Sequence, residues 1–325
     1  MRILSGVQPT GNLHIGNYFG AIRQFVALQN DTANEGYYFV ADLHAMTTIK
    51  NGDELRENSF KVAADYIALG LDPARSVLYR QSEVAEVAEL AWMLSTVTPM
   101  GLLQRGHSYK DKVSKGITPN HGLFAYPVLM AADILIVRAD KVPVGRDQKQ
   151  HLEMTRDIAA AFNQTYGEGV LKVPEELILP EVAVVPGIDG QKMSKSYGNT
   201  LEIFAPEAEL KRRVMSIVTD STPVSDPKPT RGNTLYALLK LFTPEQQWPE
   251  TKRLFTEGGT GYGEMKKRLL ALVLETFGEA RRRRAELERD RAYVGEVLRQ
   301  GRERAGKVIG RVMADCRRVC GLGWV

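Results

Sequence analysis

Apolar residues along the first part of the chain follow two alternating patterns. Short, nearly continuous apolar runs predict buried strands, whereas apolar residues three or four positions apart predict amphipathic helices. The runs predict strands at residues 3–7, 37–43, 76–79 and 141–144. The spaced pattern predicts helices at residues 14–29, 54–69, 84–95 and 123–137, and one more that follows residue 148 and extends through residue 163. Strands that alternate with helices indicate an α/β fold with a doubly wound parallel sheet, whose ligands bind at the carboxyl ends of the strands.

The pattern changes after residue 206, where almost every segment has helical periodicity. The predicted helices are residues 208–216, 234–242, 264–291 and 293–320, and joints rich in Pro and Gly lie at residues 225–229 and 258–263. We therefore predict a Rossmann-like catalytic domain at residues 1–196 and a smaller all-helical domain at residues 197–325. The periodicity leaves open whether the last helix packs back on the first domain.

Cysteine content and apolar segments bear on the cellular compartment. Two cysteines, Cys316 and Cys320, are too few for a disulfide framework in a chain of 325 residues. The longest apolar run, residues 123–137, is too short to cross a bilayer and contains Asp133. The residues after Leu4 do not form the apolar core of a signal peptide. We therefore expect a cytoplasmic protein with free thiols and no membrane contact.

Positive charge is concentrated towards the end of the sequence. The formal net charge is +4, but residues 280–325 contain thirteen Lys and Arg against six Asp and Glu, which leaves about −3 for the rest. Local basic surface is typical of a polyanion partner, so we expect this basic tail to contact a nucleic acid, and neutralising the arginines at residues 281–284 would test that contact. The alternative is a solvated helix with paired charges, because Glu286, Glu288 and Asp290 lie among the arginines.

Two short motifs point to a specific chemistry. HIGN at residues 14–17 follows the first predicted strand and opens the first predicted helix, and KMSKS at residues 192–196 forms a polar loop. A helix N-terminus and lysine side chains both favour negative charge, so the two motifs together predict a site for a nucleoside triphosphate. Alone, each has an ordinary alternative, because four residues can match by chance and lysine-serine loops are commonly solvated surface.

The two motifs, in this order, resemble the HIGH and KMSKS motifs of class I aminoacyl-tRNA synthetases. Further stretches are similar to the bacterial tryptophanyl-tRNA synthetase family over essentially the whole chain: GVQPTG at residues 6–11, LMAADI at 129–134, VPVGRDQ at 142–148 and GYG at 261–263. The resemblance implies a tryptophan–tRNA ligase that makes tryptophanyl-adenylate from tryptophan and ATP with Mg²⁺ and transfers it to the 3′ end of tRNA(Trp). It also implies a homodimer with a helical anticodon-binding domain, without a tightly bound cofactor, a protein metal site or a DNA partner.

The resemblance assigns the ATP site to both motifs and to two further loops. The catalytic residues would be His14, Asn17, Lys192 and Lys195. Such groups stabilise the charge that grows on the phosphates as pyrophosphate leaves. The ATP-binding residues would be Gln8, Gly16, Asn17, Gly20, Lys112, Gly145, Asp147, Gln148, Lys192, Met193, Ser194 and Lys195, with Lys110 as a second cation beside Lys112. Gly16 and Gly20 carry no side chain and so would let adenosine approach the backbone.

The amino-acid site should contain one buried acceptor between apolar walls, because an indole offers one N–H donor and no acceptor. Asp133 lies in an otherwise apolar predicted helix and meets this need, whereas an unpartnered buried carboxylate would be costly. The resemblance implies that Tyr126 and Gln148 hold the α-amino group and that Gln8 holds the carboxylate. The tryptophan-binding residues would be Leu4, Gly6, Gln8, His44, Tyr126, Met130, Asp133, Ile134, Val142, Val144 and Gln148. The alternative for Asp133 is an ion pair with an arginine such as Arg138.

Two positions depart from the family pattern. Asn17 replaces the second histidine of the HIGH motif, a change that the tryptophan and tyrosine branch tolerates. Arg146 occupies a place where many relatives have an acidic residue, and an extra cation beside Asp147 alters how a ribose or a magnesium ion would be bound. Trp92, on an apolar predicted helix, is expected in the core or at an interface.

Three other functions are alternatives to the expected ligase. Tyrosyl-tRNA synthetases share both motifs, but a phenol needs partners that donate as well as accept, and residues 129–134 supply a single carboxylate. A non-catalytic RNA-binding paralogue should have lost its phosphate-site residues, yet His14, Lys192 and Lys195 are present. A small-molecule adenylating ligase would not need a basic helical domain.

Overall fold

The computed structural model describes residues 1–106, 120–145, 149–178 and 184–323. Several predicted site residues lie outside these ranges, namely Lys110, Lys112, Arg146, Asp147 and Gln148. The side chain of Val144 lies outside the description as well, although its backbone is part of a strand.

The described residues contain a sheet of five parallel strands in the order β3-β2-β1-β4-β5. The strands are β1 (Arg2–Val7), β2 (Glu35–Val40), β3 (Val77–Arg80), β4 (Lys141–Val144) and β5 (Glu175–Ile178). This order confirms the predicted α/β fold with a parallel sheet. The predicted second strand, residues 37–43, was displaced along the chain: β2 begins at Glu35 and ends at Val40, because a helix begins at Asp42. The sequence did not predict β5, which begins with two glutamates and is placed by pairing with β4.

The strand order places a crevice beside β1. This strand lies between β2 and β4, and the connection from β1 runs to β2 on one side, whereas the connection from β4 runs to β5 on the other. Ligands of open α/β sheets bind at such a switch point, outside the carboxyl ends of the strands. The carboxyl end of β1 is Val7, which pairs with Val40, and the HIGN motif follows seven residues later.

The predicted helix at residues 14–29 is three consecutive pieces. Helix α1 (Ile15–Asn17) is followed by a π-helical turn (Tyr18–Ile22) and by α2 (Arg23–Asn30). The other helices of this part are α3 (Asp42–Ala45), α4 (Gly52–Ala68), a 3₁₀ turn (Gln81–Glu83), α5 (Glu86–Ser95), α6 (Met100–Gln104), α7 (His121–Ile136) and α8 (Lys149–Tyr166). The short helices α3 and α6 were not predicted, because a helix of about one turn is too short to show a periodic spacing of apolar residues.

The second part of the chain is helical, as the sequence predicted. It contains a 3₁₀ turn (Lys195–Tyr197), α9 (Glu207–Met215), α10 (Thr234–Phe242), a second 3₁₀ turn (Glu245–Gln247), α11 (Trp248–Thr256), α12 (Tyr262–Arg289) and α13 (Arg291–Val319). Helix α11 was missed although Pro249 stands in its first turn, a common position for proline. Asp290 separates the last two helices, and its side chain caps α13 by accepting from the Tyr293 N–H at 3.0 Å.

Helix α13 lies along the outer edge of β3. A Cβ atom on Gly301 would stand 1.7 Å from the carbonyl oxygen of Leu78, so only glycine allows the helix to approach this closely. Arg304 fastens the contact by donating to the carbonyls of Pro73 at 2.6 Å and Ser76 at 3.0 Å. The end of the chain therefore packs on the sheet, while the domain boundary after residue 196 stays a prediction.

Two features of the sequence, its cysteines and its apolar segments, can be examined in the described part of the chain. Cys316 and Cys320 are free thiols on α13, and burial raises the pKa of Cys316 to about 12. A search of the described helices for one that could cross a lipid bilayer finds none with the required length and apolar character.

Candidate active site

The KMSKS loop lies directly against the segment that contains HIGN. Just after the loop, the Leu201 carbonyl accepts from the Ile15 N–H at 3.0 Å, and the Ile203 N–H donates to the Leu13 carbonyl at 3.1 Å. This antiparallel bridge joins two parts of the chain that are far apart in sequence. The two motifs therefore meet at one place, as a shared phosphate site requires.

Lys195 crosses the junction between the two motifs. Its Nζ donates to the carbonyl of Gly11 at 3.0 Å and to that of Thr10 at 3.4 Å, in the loop between β1 and α1. Desolvation lowers the pKa of Lys195, against the opposing effect of the Glu202 and Asp65 carboxylates. A phosphate can displace the neutral carbonyls, because its negative charge adds a Coulombic attraction to the ammonium group that a carbonyl lacks.

His14 is a buried imidazole at the start of α1. Its backbone N–H donates to the side-chain oxygen of Asn17 at 3.1 Å, so the asparagine that replaces the family histidine closes the first turn. Burial, with a smaller contribution from the Lys195 charge, lowers the pKa of His14 to about 4. The ring is neutral at physiological pH and can donate one hydrogen bond. A Cβ on Gly16 would come within 2.9 Å of His14 Nδ1, so glycine leaves room for this ring.

Asn199 holds the KMSKS loop in place. Its side-chain oxygen accepts from the Ser194 N–H at 2.8 Å, and its Nδ2 donates to Asp189 Oδ1 at 2.8 Å and to the Lys192 carbonyl at 3.2 Å. Its own carbonyl accepts from the Ile188 N–H at 3.0 Å. The sequence analysis did not select this residue, although a buried asparagine three positions after a functional motif was a usable signal.

The remaining described residues of the predicted ATP site differ in their availability. The Met193 N–H donates to the Val185 carbonyl at 2.9 Å, and the Ser194 N–H is taken by Asn199. A nucleotide could therefore not use these two N–H groups without displacing their present partners. Gly20 is exposed, and a Cβ built there would meet no atom within 4 Å. Lys192 and Gly145 are also exposed.

A cavity of about 390 Å³ opens at the carboxyl side of the central strands. The predicted tryptophan-binding residues that line it are Leu4, Gly6, Gln8, His44, Tyr126, Met130, Asp133, Ile134 and Val142. They come from β1, α3, α7 and β4, or directly follow these elements. Gln8 is only two residues from Thr10, which contacts Lys195, so the cavity is close to the junction of the two motifs.

Asp133 is the buried carboxylate of this cavity, with 2% of its surface exposed. His44 Nε2 lies 2.9 Å from Oδ2, and Gln81 Nε2 donates to Oδ1 at 2.9 Å and to Oδ2 at 2.8 Å. Burial raises the pKa of Asp133, and the hydrogen bonds from His44 and Gln81 counteract it. The partners of Asp133 are therefore these two residues, and the alternative of an ion pair with Arg138 is wrong.

Comparison with known proteins agrees with this geometry. The family model described as tRNA synthetases class I (W and Y) matches residues 1–278. The chain belongs to this family. The resemblance predicted from HIGN and KMSKS is thus confirmed, and the small-molecule ligase of another family is set aside.

Relatives within the W and Y family are similar along nearly the whole chain. A tryptophan–tRNA ligase of Fusobacterium nucleatum subsp. nucleatum is 53% identical over 321 residues, which cover 99% of this chain and 98% of the relative. One of Rhodopirellula baltica is 49% identical over 99% of this chain and 100% of the relative. The crystal structure of tryptophanyl-tRNA synthetase from Campylobacter jejuni complexed with ADP and tryptophan superposes with a TM-score of 0.94 at 48% identity, covering 99% of this chain and 100% of that one.

Several residues of the cavity in this class I synthetase were missed from the sequence. They are Ser5, Phe39, Ala41, Pro143 and His151, together with Gln81 behind Asp133. Gln81 directly follows β3, so the rule that ligands bind at strand ends could have selected it. His151 comes from α8, and its Nε2 is 2.6 Å from the Tyr126 hydroxyl; a contact between two helices leaves no local sequence signal.

The arginine run at residues 281–284 requires a correction. Arg281 donates to the carbonyls of Ile203 and of Ala205, the latter at 2.7 Å. Arg284 forms a buried ion pair with Asp65 at 2.6 Å. These two guanidinium groups join α12 to the rest of the synthetase, and Arg282 and Arg283 are the exposed members of the run.

A search of the described residues for protein metal ligands gives no cluster of three or more His, Cys, Asp or Glu side chains that could hold a metal ion.

Proposed function

We propose that the chain is a tryptophan–tRNA ligase. The observation that carries the proposal is a single buried carboxylate, Asp133, in an otherwise largely apolar cavity beside the junction of HIGN and KMSKS. An indole has one donor to satisfy, and a lone acceptor matches it. The names of the similar proteins and the tryptophan bound to the Campylobacter jejuni synthetase support the same substrate.

The first step would be adenylate formation from tryptophan and the magnesium complex of ATP. A carboxylate oxygen of tryptophan forms a bond to the α-phosphorus, the bond from that phosphorus to the bridging oxygen breaks, and pyrophosphate leaves with the electron pair. The negative charge that grows on the leaving group would be met by Lys192 and Lys195. Neutral His14 would donate a hydrogen bond without adding charge, and catalysis would rest on positioning and electrostatic stabilisation.

Recognition of tryptophan would divide between the two ends of the cavity. Asp133 would accept the indole N–H, while Met130 and Val142 would contact the faces of the ring. At the other end, Tyr126 and Gln8 would hold the amino and carboxylate groups, with Gln148 as a further partner of the amino group. The tyrosine alternative is less favoured, because the donors of His44 and Gln81 that lie against Asp133 are already committed to its carboxylate and are not available to a phenol oxygen.

The second step would transfer the aminoacyl group to the terminal ribose of tRNA(Trp). The helical part would contact the tRNA, with exposed arginines of α12 meeting backbone phosphates. Trp92 is 73% exposed, which removes the core alternative and supports its place at a homodimer interface. We place the enzyme in the cytoplasm, where its tRNA substrate is used.

Pyrophosphate exchange into ATP, measured with each of the twenty amino acids, tests the proposal. Tryptophan alone should support rapid exchange, and tRNA(Trp) should then be charged. Exchange with tyrosine would favour the tyrosyl enzyme, and no exchange with any amino acid would favour a non-catalytic RNA-binding protein. Sedimentation of the wild type and of Trp92→Lys tests the dimer, because a charge at the interface should produce monomers.

A further inference from the structure

Gln81 is a fully buried amide directly behind Asp133. It is the first residue after β3, and 0% of its surface is exposed. Its side chain connects the turn after β3 to α3 on one side and to α7 on the other. The large majority of buried polar side chains are hydrogen-bonded. The hydrogen-bond partners of Gln81 therefore indicate its role.

The backbone of α3 determines which way the Gln81 amide points. Its Oε1 accepts from the N–H of Leu43 at 3.1 Å and from that of His44 at 3.4 Å. Main-chain N–H groups can only donate, so the oxygen must face α3. The NH₂ group must then face Asp133, where it donates to Oδ1 at 2.9 Å and to Oδ2 at 2.8 Å.

Counted over the residues that the structure describes, this arrangement leaves Asp133 with one open acceptor position. An ionised carboxylate offers about four lone-pair sites. Gln81 occupies two of them and His44 Nε2 occupies a third, on Oδ2. The position that remains belongs to Oδ1 of a carboxylate that lines the cavity. Because Gln81 presents only donors here, it favours the ionised acceptor over the protonated carboxylic acid.

We propose that Gln81 is a positioning residue for side-chain recognition: it holds Asp133 as a pure acceptor with a single vacancy, and so selects an aromatic side chain that donates one N–H. The inference rests on the proposed function, because it takes the amino-acid side chain to enter this cavity. A phenol could donate to the same vacancy, but its oxygen would then find no donor in His44 or Gln81, because those of both residues are already committed to Asp133. An aromatic ring without a donor would leave the vacancy unfilled.

Two variants of Gln81 remove the donor in different ways. Gln81→Met keeps the approximate volume and loses every hydrogen bond. Gln81→Glu keeps an acceptor for the N–H groups of Leu43 and His44 but brings a second carboxyl group against Asp133, so that the two carboxyl groups share a proton and Asp133 is no longer held as an ionised acceptor. Affinities for tryptophan and for its benzothiophene analogue, in which sulfur replaces the N–H, would be measured by calorimetry on each full-length variant.

The two ligands should respond differently. Both variants should bind tryptophan about tenfold or more weakly than the wild type. Binding of the benzothiophene analogue should change by no more than about twofold. The ratio of the affinities for tryptophan and for the analogue, which measures the preference for an N–H donor, should therefore fall. If one variant fails to fold in a thermal melt, the other still supplies the comparison.

Ser82→Ala is the matched control. Ser82 is the next residue of the same turn, and its backbone and hydroxyl donate to Asp42 instead of Asp133. A disturbance of the turn alone should weaken both ligands equally in this control. Equal losses in the Gln81 variants, or an unchanged ligand ratio, would overturn the role of Gln81. A wild type that binds neither ligand and exchanges pyrophosphate with a different amino acid would instead overturn the proposed function.

Discussion

The amino-acid cavity and the KMSKS junction are built in opposite ways. In the cavity, the polar groups around Asp133 are buried, and each has a partner on a strand end or a helix. At the junction, Lys192 and Lys195 are exposed on a loop, and Asn199 supplies the side-chain hydrogen bonds that hold it. The first arrangement suits recognition by a preformed complementary surface. The second places the cations on a surface loop, where Lys195 can exchange its carbonyl partners for phosphates as their charge changes.

The contrast has an energetic meaning. A buried polar group contributes most to binding when all of its hydrogen bonds are made, because any buried polar group left unpaired carries its full desolvation cost. An exposed lysine adds little to ground-state stability, but it can act on charge that appears only in the transition state. Substitutions in the cavity should therefore change affinity, and substitutions at the junction should change rate.

The largest expected effect is that of Lys195→Ala. Loss of a group aimed at developing charge typically lowers the rate by about 10²–10³. We expect that reduction in pre-steady-state adenylate formation, with the tryptophan dissociation constant within about twofold of the wild type. Lys211→Ala, an exposed lysine on α9, is the control and should leave both quantities unchanged. An equal loss of rate and of tryptophan affinity would remove the distinction between the two regions.

Asp133→Asn should have the next largest effect. The variant removes the charge behind the acceptor, and hydrogen bonds to charged groups contribute about 1.5–3 kcal/mol. Tryptophan should bind about tenfold to a hundredfold more weakly in calorimetry, while its benzothiophene analogue should change little. Ile134→Val, a change in the apolar wall, should weaken both ligands alike. Parallel losses for Asp133→Asn would reject the carboxylate as the indole acceptor.

Asn199→Ala should loosen the loop without touching the cavity. Three side-chain hydrogen bonds disappear, so the lysines spend less time in place. We expect a loss of about tenfold in kcat/KM for ATP in pyrophosphate exchange, with normal tryptophan binding. Asn163→Ala is matched to it, because Asn163 bonds the Leu171 backbone in the same manner on α8, outside both sites. If the two variants lose the same activity, general destabilisation explains the result.

The smallest effect concerns the surface outside both regions. The double variant Arg282→Gln/Arg283→Gln should lower tRNA affinity a few-fold. The slope of log K for tRNA binding against log salt concentration should become shallower by about 1–2, since each phosphate contact contributes about 0.7–0.9 to that slope. Pyrophosphate exchange should be unchanged. Arg299→Gln is the control, because this arginine is held between two carboxylates, Glu296 and Glu303, whereas Arg283 has one, Glu286, at 3.4 Å. An unchanged slope in the double variant would move the RNA contacts elsewhere.

Much of the fold was predictable because periodicity is a local property. The alternation of strands and helices indicated a parallel sheet and where its ligands bind, and apolar spacing indicated the long helices of the second part. The structure differs from the prediction where the sequence signal is weak or where an element depends on a distant segment. Strand β5 begins with Glu175 and Glu176 and depends on pairing with β4, and the helical turn at Asp42 interrupts what sequence alone extends as strand.

The same distinction between local sequence signals and contacts with distant segments applies to the candidate site. Residues inside recognisable motifs, such as His14 and Lys195, could be selected from the sequence, as could Asp133 from its polarity in an apolar helix. Residues that support them were not selected, although Gln81 at the end of β3 and Asn199 shortly after KMSKS each carried a positional signal. Their roles, which are hydrogen bonds to backbone and side-chain groups of other segments, appear only when those segments are brought together. The roles assigned to the motif residues themselves stay predictions until the variants are measured.

The close passage of Gly301 over Leu78 has a consequence for biosynthesis. An uncovered outer strand exposes unpaired main-chain groups that can recruit another chain. While the ribosome is still adding residues beyond 290, β3 has no cover, and the turn that presents Gln81 lacks its neighbour. Nascent chains arrested there should aggregate rather than bind an amino acid, and recognition should begin only when the final helix emerges.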